Sequence, residues 1–282
     1  MKQIVVAIDF SRCSVHALEY AITIANTMEA NIIMTWVDVA EKRDTNFQGI
    51  ESSPRREISD NFEELVEQYG KTLTSGELFY KIRKGKVYTE ISNQAKYSDA
   101  ELVIAGTHGV SGFEEFWIGS NAYRIVSSSP CPVITVRSDF GATRSIKTIV
   151  LPIDSSLESR QKLPVTSKIA KLFNSTVHVI SLYSTSIKAI RNRVDNYTNQ
   201  VVKFLEAEGI DFVVKTVEAE NITNSTINYA KAVDADIISI MKEQETSTAN
   251  IFLGAYAQQM VNHSPIPVLN IHAREFVHIQ SR

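Results

Sequence analysis

Apolar residues run along this chain in two alternating rhythms. Residues 4–9 form a continuous apolar run closed by Asp9, the pattern of a strand buried on both faces of a sheet. From Ser14 to Met28 the apolar positions are Ala17, Leu18, Ala21, Ile22, Ala25 and Met28, one stripe of an amphipathic helix. The alternation continues with strands at 32–37, 78–82, 102–105 and 133–136. Between them stand helical stretches at 58–69, 87–97 and 121–126. This βαβαβαβαβ order predicts right-handed crossovers and a five-stranded, mainly parallel open sheet with helices on both faces, a Rossmann-like α/β fold.

The pattern then repeats. Residues 98–136 align without a gap on residues 233–271. Asp99 falls on Asp234, Ala100 on Ala235, Gly119 on Gly254, Ser129 on Ser264, Pro130 on Pro265, Pro132 on Pro267 and Val133 on Val268. The starts match as well, Ile4 to Asp9 paralleling Ile149 to Asp154. The second copy is about ten residues shorter, and the polar, aperiodic stretch 40–54 accounts for the difference. Second-copy strands are predicted at 148–153, 177–182, 212–217, 237–240 and 268–271. The chain thus reads as two tandem domains, 1–140 and 144–272, joined by a short polar linker at 138–143 and followed by a tail at 273–282. Pro130 and Pro132, just ahead of the fifth strand, suit an edge strand.

Composition narrows the chemistry. A net charge of −3 leaves no basic excess for a phosphate backbone, so nucleic acid is not the expected partner. The two cysteines, Cys13 and Cys131, form no disulfide framework and read as free thiols of a reducing compartment. No apolar run reaches the roughly 18 residues of a membrane span, and the first apolar stretch breaks at Asp9, too soon for a signal peptide. The cytoplasm is the expected location.

One segment of the first copy carries candidate chemistry. After the fourth strand come Gly106-Thr107-His108-Gly109, nine further residues, and then Gly119-Ser120 at the opening of a helix. Glycine admits positive φ and close backbone approach, and the N–H groups at a helix start attract phosphate. A serine hydroxyl adds a donor. In an open parallel sheet this loop lies at the carboxyl ends of the strands, where ligands bind. The plainer alternative is that these are turn glycines with Ser120 as an ordinary helix cap.

The spacing Gly-x2-Gly-x9-Gly-Ser resembles the ATP-binding signature of the universal stress protein family, and the resemblance extends over nearly the whole chain as two family domains. It implies ATP as ligand, with magnesium as an option, and agrees with the sheet inferred above. It implies that Asp9, at the end of the first strand, and Val37, through its backbone, stand at the nucleoside. Gly106, His108, Gly109, Gly119, Ser120 and Asn121 would surround the ribose and phosphates. Where the family commonly has a small apolar residue this chain has Asn121, whose amide either adds a phosphate contact or only begins the helix. The resemblance also implies pairing of the last strands of the two halves, an internal pseudo-dimer, and leaves a homodimer open.

The second copy departs from the signature. Met241 replaces Gly106, Gln244 replaces Gly109 and Ala255 replaces Ser120, so no ATP is expected through that loop. Three functions compete: a module that binds ATP as a regulatory or sensing ligand, a slow ATPase, and an interaction scaffold. A Walker A lysine, a Gly-x-Ser-x-Gly nucleophile and a histidine set with metal-ligand spacing are all missing from the sequence, and there is no convincing base or arginine finger for fast hydrolysis.

Overall fold

The computed structural model describes residues 1–39, 53–107, 120–242, 244–245 and 252–272. The first half comprises β1 (Lys2–Ala7), α1 (Arg12–Met28), β2 (Ala30–Asp38), α2 (Ser53–Tyr69), β3 (Leu78–Lys84), α3 (Val87–Tyr97), β4 (Leu102–Gly106), α4 (Ser120–Ser128) and β5 (Val133–Val136). The second comprises β6 (Thr148–Ile153), α5 (Leu163–Phe173), β7 (Thr176–Tyr183), α6 (Lys188–Ala207), β8 (Phe212–Glu218), α7 (Ile222–Ala232) and β9 (Ile237–Lys242). It ends with a two-residue pair, β10 (Gln244–Glu245) and β11 (Phe252–Leu253), then α8 (Ala255–His263) and β12 (Val268–His272). Among the described residues, no helix is long and apolar enough to cross a membrane.

Each half is a parallel sheet whose first strand lies between the second and fourth, as the alternating pattern requires. The two sheets are one. Ten strands run in the order β3-β2-β1-β4-β5-β12-β9-β6-β7-β8, and the β5–β12 junction is antiparallel. Val268, Leu269 and Asn270 stand opposite Thr135, Ile134 and Val133. Strand β5, whose prolines suggest an edge, is an edge only of its own half. Pro130 and Pro132 precede the strand, so they take no donor from the ladder, and the Pro132 carbonyl accepts from Val103 N–H at 3.0 Å. Val133, Ile134, Val268 and Leu269 are all buried. At about 1.5–3 kcal/mol for each buried side chain, against about 1 kcal/mol net for a hydrogen bond, apolar burial rather than the short ladder holds the seam.

Joining the sheets divides the interior by face rather than by domain. One cluster lies under α1, α2, α5 and α6 and includes Leu18, Ile104, Ile134, Leu151, Val179 and Leu269. The other lies under α3, α4, α7 and α8 and includes Val5, Val103, Val133, Val150, Ile238 and Val268. Each runs through both halves. The linker and the residues that follow it are docked rather than loose. Ala142 and Ile146 are buried, and Thr23 Oγ1 donates to the Ala142 carbonyl at 2.9 Å. Arg144 Nε donates to Asp236 at 2.9 Å.

The pseudo-symmetry extends to backbone conformation. Positive φ outside glycine occurs, among the described residues, at Phe10, Glu29, Asp99, Asn174 and Asp234. Glu29 and Asn174 both end the helix after the first strand of their half, and Asp99 and Asp234 are the aligned turn residues before β4 and β9. Phe10 has no counterpart in the second half.

Candidate functional site

The carboxyl ends of β2, β1 and β4 meet at one level. Val6 is in register with Met34 on one side and Ile104 on the other. Continuing that register sets Asp9 level with Val37 and Thr107, and Ile8 level with Gly106, on strands about 4.8 Å apart. The chain order reverses between β1 and β4, so this is the topological switch point at which open α/β sheets take ligands.

Val37 is placed to offer its backbone. Ile8 N–H donates to the Thr35 carbonyl at 2.9 Å, so Thr35 faces β1, and Gly85 N–H donates to the Asp38 carbonyl at 3.0 Å, so Asp38 faces β3. By strand alternation the Val37 N–H and C=O turn toward β1, beyond the last β1–β2 pair at Ala7 and Thr35. Its side chain points into the core.

Asp9 opens a compact turn into α1. Its Oδ1 accepts from Ser11 N–H at 3.0 Å, and its own N–H donates to Ser14 Oγ at 3.3 Å. Ser11 caps α1, accepting from Ser14 N–H at 3.2 Å. Between them Phe10 takes a left-handed conformation, φ 62°, which costs a bulky residue on the order of 1–2 kcal/mol. Its ring packs edge-on against Phe62, centroids 4.9 Å apart, and Phe62 stacks on Tyr80 at 4.7 Å. Aromatic packing thus holds the turn that aims Asp9. The apolar periodicity of the sequence carries no signal for this strained residue, because strain is a property of backbone geometry.

Gly106 ends β4 for a reason other than the one its sequence context suggests. It is not among the described glycines with positive φ, which are Gly76, Gly85 and Gly209. A Cβ at Gly106 would lie 2.8 Å from Cys13 Sγ and 2.9 Å from the Cys13 carbonyl oxygen. The close approach is to the first turn of α1. Ser120 is the first residue of α4, not its cap, and both Ser120 and Asn121 are exposed at that helix start. His108, Gly109 and Gly119 lie outside the described residues.

The second half keeps the turn and changes the loop. Asp154 Oδ1 accepts from Ser156 N–H at 2.9 Å, and Asp154 N–H donates to Ser159 Oγ at 3.0 Å, repeating the Asp9 turn. Met241, at the position of Gly106, is buried in the cluster under α5 and α6. The segment after the Asp154 turn is a 3-10 turn, Leu157–Arg160, and α5 begins only at Leu163. Gln244, aligned with Gly109, sits in the β10–β11 pair opposite Leu253. Arg191 lies 4.1 Å from the Tyr183 ring centroid and pairs with both oxygens of Glu218 at 2.8 and 2.6 Å, above the ends of β7 and β8.

Residues 1–137 and 145–272 each match the family model described as the universal stress protein family. The universal stress protein YxiE of Bacillus subtilis is 29% identical over 147 residues, covering 48% of this chain and 98% of the relative. A universal stress protein structure from Archaeoglobus fulgidus superposes with a TM-score of 0.75 at 18% identity, covering 96% of this chain and 98% of the other. A functionally unknown protein from Pseudomonas aeruginosa PAO1 superposes with a TM-score of 0.66 at 17% identity, over 97% of this chain and 93% of its own. These two likenesses show the same fold across both halves.

Proposed function

The chain belongs to the universal stress protein family as a tandem pair of its domains, and from that premise we propose that its first domain binds one ATP as a sensing or regulatory ligand. The observation that carries this reading is the convergence at one level of Asp9, the open Val37 backbone and the end of β4, with the exposed start of α4 beyond. The base would meet the Val37 backbone and the ribose the Asp9 carboxylate. The phosphates would meet Ser120, Asn121 and the α4 N–H groups, with His108, Gly109 and Gly119 completing the loop. When magnesium accompanies the nucleotide it shields phosphate charge, and among the described residues the Asp9 carboxylate could hold it through water. Asp9 is tied to the Ser11 N–H, which suits an anchor better than a base that activates water. Binding rather than turnover is therefore the favoured activity, in a reducing compartment consistent with the buried free thiols of Cys13 and Cys131. The second domain acts as the structural half, since Met241 and the β10–β11 pair occupy its loop.

The test is calorimetric titration with Mg-ATP of the wild type and of Ser120→Ala. One ATP per chain, bound more weakly by the variant at unchanged melting temperature, supports the site. Two per chain would bring the second domain into play, and no binding by the wild type would overturn the reading in favour of a scaffold.

A further inference from the structure

Lys242 ends β9 at the position that Thr107 holds in the glycine loop of the first domain. It is 5% exposed. Its ammonium reaches across the seam and donates to the carbonyl oxygen of Ser127, in the last turn of α4. Strand β11 also packs against α4 from the second domain. The counterpart of the phosphate loop thus grips the helix that carries the first domain's own loop.

The chemistry suits a grip. The last carbonyls of a helix lack intrahelical donors, and a cation there complements the helix dipole. Helix α4 has nine residues, so it is about 13 Å long and moves as one piece. A constraint at Ser127 is therefore felt at Ser120. We propose that Lys242 is a positioning residue that braces α4 across the domain seam and thereby sets the affinity of the nucleotide site at the other end of that helix. This rests on the ATP reading above. Burial lowers the Lys242 amine to about 8, so the ionised side chain is a burden on folding in that place. A purely structural role would be filled better by an apolar side chain of the same length.

Lys242→Met separates the two roles. The variant is expected to melt at the same temperature as the wild type or higher, yet to bind Mg-ATP about five-fold more weakly, a modest coupling between sites. Lys242→Arg, which keeps a charged donor, should recover most of the affinity. Amide exchange of the nucleotide-free protein gives a readout independent of ATP. Lys242→Met should speed exchange along all of α4, including Tyr123 and Arg124, while α7 is unchanged. Unchanged affinity, or faster exchange confined to the last turn of α4, would overturn the proposal. A variant that both melts lower and binds weakly, without rescue by arginine, would overturn it too. If the wild type binds no ATP, the nucleotide reading and the affinity claim fall together, and the exchange data still decide whether Lys242 braces α4.

Discussion

Gly106 and Cys13 are packed so closely that a single carbon added to Gly106 would stand 2.8 Å from the Cys13 sulfur. The carbonyl oxygen and carbon of Cys13 lie 2.9 and 3.0 Å from the same point, so trimming the sulfur would not make room. Gly106→Ala should therefore destabilise the protein by about 1–3 kcal/mol, lowering the melting temperature by roughly 2–4 °C per kcal/mol. Gly106→Ala combined with Cys13→Ala should recover only part of that. A thermal melt of Gly106→Ala that matches wild type would mean that α1 shifts away at no cost.

Phe10 allows a test of backbone strain. Removing its ring loses the contacts with Phe62, but glycine tolerates φ 62° and alanine does not. Phe10→Gly is expected to be more stable than Phe10→Ala by about 1 kcal/mol, the reverse of the usual order. Urea midpoints of the two variants compare them directly, and an alanine variant of equal or greater stability would show that the turn relaxes.

Asp236 organises the entry to the second domain. Besides Arg144 it accepts from the backbone N–H groups of Lys147 and Thr148 at 2.8 and 2.9 Å. Its side chain is 6% exposed and that of Arg144 36%. Arg144 can rehydrate when its partner is lost, whereas the two N–H groups are left unpaired. Asp236→Ala should thus cost about 3 kcal/mol and Arg144→Ala about 1 kcal/mol. Denaturant titration of both singles and the double gives their coupling, and equal costs would show that the guanidinium alone matters.

Alkaline pH acts on two kinds of group with opposite signs. Burial, then a 2.7 Å hydrogen bond to Glu19, pushes Tyr69 up to about 12. Burial, then Asp195, does the same for Tyr183, and burial raises Tyr20 further. In the unfolded chain these phenols titrate near 10. Their contribution is complete below pH 10 and is lost as pH climbs from 10 to 12. Lys242 runs the other way. Its amine is lowered from its ordinary value to about 8, so the folded state bears a penalty below pH 8 that lifts between 8 and the unfolded value near 10.4. Wild type should gain stability relative to Lys242→Met between pH 7 and 9.5, measured by denaturant midpoints. A difference that does not move with pH would mean that the amine stays hydrated.

The amino-acid pattern alone was enough for the element order and the two tandem domains. Those depend on local periodicity and on a repeat whose glycine and prolines align, and neighbouring residues write such signals directly. Tertiary contact decided the rest. Gly106 is adjacent in sequence to the loop, but its reason for being glycine is Cys13, far away along the chain. Phe10 is strained in a turn where its ring packs on Phe62, which is itself stacked on Tyr80. The prolines before β5 suggest an edge, and β12 closes it. Lys242 carries no signal in the sequence pattern, and the seam brings it to Ser127. Each of these depends on which surfaces meet once two similar halves share one sheet, and the spacing of residues within either half does not encode that meeting.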